Sequence, residues 1–133
     1  MTKEGLNKNE LDIMYVLWDS DVPLLASEIV GKNENLTIPT VQRLLKSLVK
    51  KEYVEVADIV QNGKALGRRY RAKKTADDFL KKEIEYFFPV IKSKRKASRN
   101  LFACFFESNH NNEMIDELQK LIDEKKREWE NGD

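Results

Sequence analysis

The chain has 133 residues, 41% of them hydrophobic and 35% charged, which is enough apolar material for a core and too much for a disordered chain. Five glycines and three prolines argue against a turn-rich all-β fold. The single cysteine, Cys104, excludes an intrachain disulfide and any multi-cysteine metal site, and it fits a reducing, cytoplasmic setting.

The net charge of +1 conceals an asymmetry. Residues 1–36 carry a net −4, residues 37–74 hold ten basic groups against three acidic ones for a net +7, and residues 75–133 carry −2. A local excess of that size suits a polyanion-binding surface. The polar start Met1-Thr2-Lys3-Glu4-Gly5 predicts no signal peptide, and the longest apolar run, Ile13 to Trp18, is too short to span a membrane.

The first helix opens at Asn7, a cap whose N3 residue, Glu10, completes a capping box, with Leu6 and Leu11 in the staple positions. Spacings of three and four place Leu11, Met14, Tyr15 and Trp18 on its apolar stripe. Asp19 to Pro23 breaks the pattern. A short second helix covers about Ala26 to Gly31, and Asn33-Glu34-Asn35 makes a turn.

The third helix has the clearest pattern. Thr37 is its N-cap, Pro39 sits in the first turn where a missing N–H costs nothing, and Val41, Leu44, Leu45, Leu48 and Val49 form one stripe. Pro39, Arg43, Lys46 and Lys50 occupy the opposite face, flanked by Thr40, Gln42 and Ser47. Tyr53 to Val60 alternates as a strand. Gln61-Asn62-Gly63-Lys64 is a hairpin turn, and Arg68 to Ala72 is the returning strand. Three helices followed by a hairpin, with a tight second-to-third helix connection, is the order of a winged helix-turn-helix.

From Thr75 the pattern is helical again. Leu80, Ile84, Phe87, Phe88 and Ile91 make one stripe, with Pro89 ending or kinking that helix. Leu101, Phe102, Phe105 and Phe106 make a second stripe, and Ile115, Leu118, Leu121 and Ile122 a third. Three such helices cannot bury all that Phe and Leu alone, which points to a homodimer seam. The expected fold class is therefore mainly α with a small β-hairpin: a winged-helix DNA-binding domain over residues 1–74 and a three-helix dimerisation region over residues 75–133.

These residues carry a family resemblance. Leu11 to Trp18 resembles the E-x-x-I/V-M-x-x-L/I-W first helix of the penicillinase-repressor (BlaI/MecI/CopY) family. Thr40 to Lys51 resembles its T-V-x-T-L-L-x-R-L-x-x-K-G recognition helix, Gly67-Arg68-Arg69-Tyr70 its G-R-x-Y wing strand, and Ile115 to Ile122 its I-x-E-L-x-x-L-I segment. The resemblance implies a bacterial repressor that binds a palindromic operator as a homodimer made by the C-terminal helices. Release follows copper loading of C-terminal cysteines or proteolysis, with a sensor protease or anti-repressor as partner. One cysteine excludes the copper branch, and no asparagine–phenylalanine cleavage site stands around Leu101 to Phe106. Glu52 replaces the family's usual Gly, Ala26 its frequent Thr cap, the stretch Glu52 to Leu66 is longer than its wing, and Lys92-Ser93-Lys94-Arg95-Lys96 is a basic insert.

For DNA, Thr37 and Thr40 suit phosphates, Gln42 adenine and Arg43 guanine. Lys46 and Lys50 suit the backbone, and Lys64, Arg68, Arg69 and Arg71 suit phosphate or minor-groove contacts from the wing. The Lys92–Arg99 cluster either touches flanking DNA or is solvated surface. Catalysis has little support. His110 is the only histidine, its single Glu-x-x-His spacing with Glu107 lacks the second copy and further carboxylates of a di-iron site, and no phosphate or dinucleotide loop is present. Cys104, on an apolar stripe, is expected to be buried and inert. No cofactor is called for. The competing reading is a winged-helix protein-interaction module without DNA, and it turns on whether Arg43, Lys46, Arg68 and Arg71 converge on one open face.

Overall fold

The computed structural model describes residues 5–93, 95–108 and 111–132. Its elements run α1 (Lys8–Trp18), β1 (Leu24–Leu25), α2 (Ala26–Lys32), α3 (Ile38–Lys50), β2 (Val54–Asn62), β3 (Ala65–Ala72), α4 (Ala76–Ser93), α5 (Arg95–Ser108) and α6 (Asn112–Asn131). Two compact units result, Met1–Phe87 and Phe88–Asp133, with α4 starting in the first and ending in the second.

In the first unit, α1 begins with the expected box. The Asn7 side chain accepts from the Glu10 amide at 2.8 Å, and the Glu10 carboxylate accepts from the Asn7 amide at 3.1 Å. The buried stripe of α1 is Glu10, Ile13, Met14 and Leu17. Tyr15, expected inside, is 56% exposed, while Leu11 and Trp18 pack at the margin of the core. The buried stripe lies one residue back from the expected one, because every residue from Ile13 to Trp18 is apolar and the run alone does not choose between the two stripes.

Helix α3 follows its sequence closely, with the Thr37 cap, Pro39 in the first turn, and Val41, Leu44, Leu45 and Leu48 buried against Ile13, Met14, Ile29, Leu36, Tyr53 and Val54. Val49, at the end of the stripe, is 38% exposed.

The sheet has three strands in the order β1-β3-β2, one more than the expected hairpin. The two-residue β1 pairs antiparallel through Leu24↔Tyr70 and Leu25↔Arg69. The β2–β3 hairpin is longer than its alternation suggested and closes through Gly63-Lys64. Gly63 alone takes a positive φ, 66°, at the first loop position, as a type II′ turn requires. A bulge at Ala57 shifts the register between Val56↔Tyr70 and Asp58↔Arg69. The exit of β3 is tied back to the core: the Trp18 indole donates to the Lys74 carbonyl at 2.8 Å, and Phe79 of α4 packs on the Trp18 and Tyr53 rings.

Helix α3 ends in a Schellman motif, with the Glu52 amide donating to Val49 O at 3.0 Å and the Tyr53 amide to Leu48 O at 2.9 Å. The left-handed residue of that motif is Glu52, at φ 66°. A side chain there costs about 1 kcal/mol relative to glycine, and the exposed Glu52–Lys73 pair at 3.7 Å offsets little of it. Glu52→Gly is expected to raise the melting temperature by about 4 °C. An unchanged or lower melting temperature would show that the ion pair outweighs the backbone cost.

In the second unit α5 and α6 form where the stripes predicted. The Asn111 side chain caps α6 by accepting from the Glu113 and Met114 amides at 3.0 and 3.2 Å. Pro89 does not end α4, which continues to Ser93. Cys104 is exposed, not buried, because the face of α5 it stands on is itself uncovered, with Leu101, Phe102 and Phe105 exposed. His110 lies outside the described residues, and so does Lys94 of the basic insert; Lys96 and Arg99 are exposed on α5. Among the described residues no helix is long and apolar enough to cross a membrane.

Candidate nucleic-acid interface

The outer face of α3 is polar because its inner face is committed to the core. Gln42, Arg43, Lys46 and Lys50 are exposed, and among the described residues none of the three cations meets a carboxylate. Thr37 is less free than expected. Its hydroxyl accepts from the Thr40 amide at 3.4 Å and donates to the Thr40 hydroxyl at 2.9 Å. Thr40 remains the hydroxyl at the helix N-terminus, where the helix dipole favours an anion although Pro39 has no N–H and the Thr40 amide is taken by Thr37.

The hairpin sorts its basic residues by face. Leu66, Arg68 and Tyr70 of β3, with Val56 and Ile59 of β2, line a groove of about 820 Å³ against Ile38, Gln42, Lys46 and Val49 of α3. Strand alternation turns Arg69 and Arg71 to the other face. There Arg69 forms a two-pronged ion pair with Asp58, and Arg71 donates to Glu55 at 2.7 Å. The bulge makes both pairings available. Without it Glu55 and Asp58, three residues apart, would point to opposite faces.

The Arg69 guanidinium holds the Asp58 carboxyl below its ordinary range, and Asp58 raises Arg69 in turn. Lys46 and Arg68 thus line one groove, while Arg71 is held by Glu55 on the other face of the hairpin. Arg68→Ala is therefore expected to weaken DNA binding several-fold more than Arg71→Ala, because Arg71 must leave Glu55 before it meets a phosphate. Equal losses in titrations of a common duplex would show that the Glu55 pair imposes no cost.

Two features of this region lie beyond the sequence reading. One is the apolar lining of the groove, with Ile59 and Leu66 exposed on the hairpin. The other is a buried polar network at the far end of α3. Glu10 is 1% exposed, and its carboxylate accepts from Ser47 Oγ at 3.0 Å and from Lys51 Nζ at 3.0 and 3.1 Å, besides the Asn7 amide. Burial pushes this carboxyl up. The Asn7 amide, the Lys51 ammonium and the Ser47 hydroxyl together outweigh that and hold it below its ordinary value. The capping-box spacing announces Glu10, but nothing local announces its partners 37 and 41 residues away.

The residues expected to make a dimer seam are exposed in the single chain: Leu80, Ile84, Phe87 and Phe88 on α4, Leu101, Phe102 and Phe105 on α5, and Ile115, Leu121 and Ile122 on α6, with Leu118 half-buried. No group of three or more metal-ligating side chains gathers among the described residues.

The sequence profile of the penicillinase repressor family matches residues 6–124. No curated protein matches the chain. Among solved structures, the Helicobacter pylori ferric uptake regulator aligns at 28% identity over 56% of this chain and 51% of its own, with a TM-score of 0.41. This chain thus spans about half the length of that relative. A "possible transcriptional regulator" from Methanosarcina mazei Go1 aligns at 21% identity over 71% and 80%, with a TM-score of 0.49. A MarR family regulator from Neisseria meningitidis aligns at 19% over 98% and 84%, with a TM-score of 0.42. At these scores the three likenesses add nothing to the family match.

Proposed function

The chain belongs to the penicillinase repressor family, and from that premise we propose that it is a transcriptional repressor which binds a palindromic operator as a homodimer. The family makes it a DNA-binding regulator. The observation that carries the finer reading is the set of cations Arg43, Lys46, Lys50, Lys64 and Arg68 on α3 and the hairpin, which meet no carboxylate among the described residues and lie within a segment of net charge +7.

In this reading α3 enters the major groove. Arg43 reads guanine and Gln42 adenine, Thr40 and the α3 N-terminus meet a phosphate, and Lys46 and Lys50 hold the backbone. Thr37 and Pro39 shape the helix start. Lys64 and Arg68 reach the adjoining backbone or minor groove, with Arg69 and Arg71 as reserve contacts behind their acid partners. Residues 1–74 carry the DNA surface and residues 75–133 the dimer seam, with Phe79 serving the core of the first. The uncovered apolar faces of α4, α5 and α6 support the dimer, since so many exposed Phe, Leu and Ile side chains are unusual on a monomer.

A protein-interaction module without DNA remains the alternative, favoured only by the withdrawal of Arg69 and Arg71 into ion pairs. Selection from a pool of random duplexes separates the two. A repressor enriches a dyad-symmetric sequence, and an interaction module enriches none.

A further inference from the structure

A carboxylate buried to 1% exposure is costly unless every oxygen is satisfied, and apolar residues of similar volume often stabilise such a site as well or better. Glu10 is nevertheless fully engaged, and its partners are unusual in their reach. Its own oxygens close the start of α1 on Asn7. They also hold Ser47, near the end of α3, and Lys51, the α3 cap, whose ammonium in turn donates to the Gly5 carbonyl at 2.9 Å. One carboxylate thus joins the segment before α1, the first turn of α1 and the last turn of α3.

At 100° per residue, Ser47 and Lys51 stand about 40° and 80° round the helix from Arg43. They lie on the flank away from the groove that Gln42, Lys46 and Val49 line. Hydrophobic packing of Val41, Leu44, Leu45 and Leu48 resists separation of α3 from the core, yet it is non-directional and tolerates rotation or sliding better than a set of hydrogen bonds does. The Glu10 bonds fix the helix in both senses.

We propose that Glu10 is a positioning residue for base reading: through Ser47 and Lys51 it sets the rotation and height of α3, and so the aim of Arg43 and Gln42. This rests on the DNA-binding reading above. Replacing Glu10 by an apolar residue leaves attraction to phosphates in place and loosens the geometry on which sequence discrimination depends.

The test uses the full-length chain and the duplex it selects from a random pool, with a scrambled duplex of equal length as competitor. Glu10→Leu is expected to melt cooperatively and to bind the scrambled duplex like the parent. Its preference for the selected duplex is expected to fall about tenfold, comparable to losing one good base contact. Ser47→Ala, which removes one bond and leaves the charge pair intact, is expected to lose several-fold and serves as the test should Glu10→Leu fail to fold. A folded variant that keeps the parent's preference overturns the proposal, and equal loss on both duplexes does so as well. A parent that selects no sequence overturns the DNA-binding reading, and this proposal with it.

Discussion

The double variant Leu118→Asp, Leu121→Asp is expected to sediment as a monomer and to bind its operator at least about a hundredfold more weakly than the parent. The reasoning runs from exposure to linkage. Ile115, Leu121 and Ile122 are exposed along α6 and Leu118 is half-buried, so the helix presents an apolar stripe to solvent in the single chain. A second copy that covers the stripe makes binding of the second half-site intramolecular, and the two recognition helices then stand one or more DNA turns apart, roughly 34 Å each. Two carboxylates in such a seam must be desolvated without partners, at a cost of several kcal/mol per ion. The winged-helix unit does not depend on these positions, so its circular dichroism and its affinity for a single half-site are expected to be unchanged. A variant that still sediments as a dimer places the seam elsewhere.

The second large effect concerns Arg43. Arg43→Ala is expected to cost roughly 1–3 kcal/mol on the operator and to relax base preference at one position per half-site. Lys50→Ala is expected to weaken all sequences alike. Both side chains are exposed on the same face of α3, and neither has an acid partner among the described residues, so neither loss carries a hidden change in folding. Selections repeated with each variant decide the point. If Arg43→Ala keeps the parent's preferred sequence and loses only salt-sensitive affinity, α3 does not read bases through that residue.

The parts of the fold legible in the sequence are those determined locally. The Asn7–Glu10 box, the Thr37 cap with Pro39, and the stripe from Val41 to Leu48 depend on neighbours within a turn or two, and each appears as read. Glu52 was legible as a departure, but its meaning came from the backbone, where it occupies a left-handed position. What escaped depends on distant partners. Leu24 and Leu25 are too short a strand to alternate, and only Arg69 and Tyr70 reveal it. Glu10 is polar, so hydrophobic periodicity did not mark it as buried, and the unbroken apolar run from Ile13 to Trp18 left the inner stripe of α1 open to a one-residue shift. Four wing cations were equivalent in sequence, whereas the register, with its bulge at Ala57, leaves Arg68 facing α3 and gives Arg69 and Arg71 to Asp58 and Glu55. Cys104 lies on an apolar stripe, as read, but that stripe is uncovered in the single chain.

The most direct measurement is the affinity for the selected duplex as a function of salt. Several phosphate contacts per protomer from α3 and the hairpin require a log–log slope of magnitude well above ~3, with the selected duplex preferred at every salt concentration. A flat salt response, or affinity that is the same for every duplex tested, contradicts recognition of an operator by this surface.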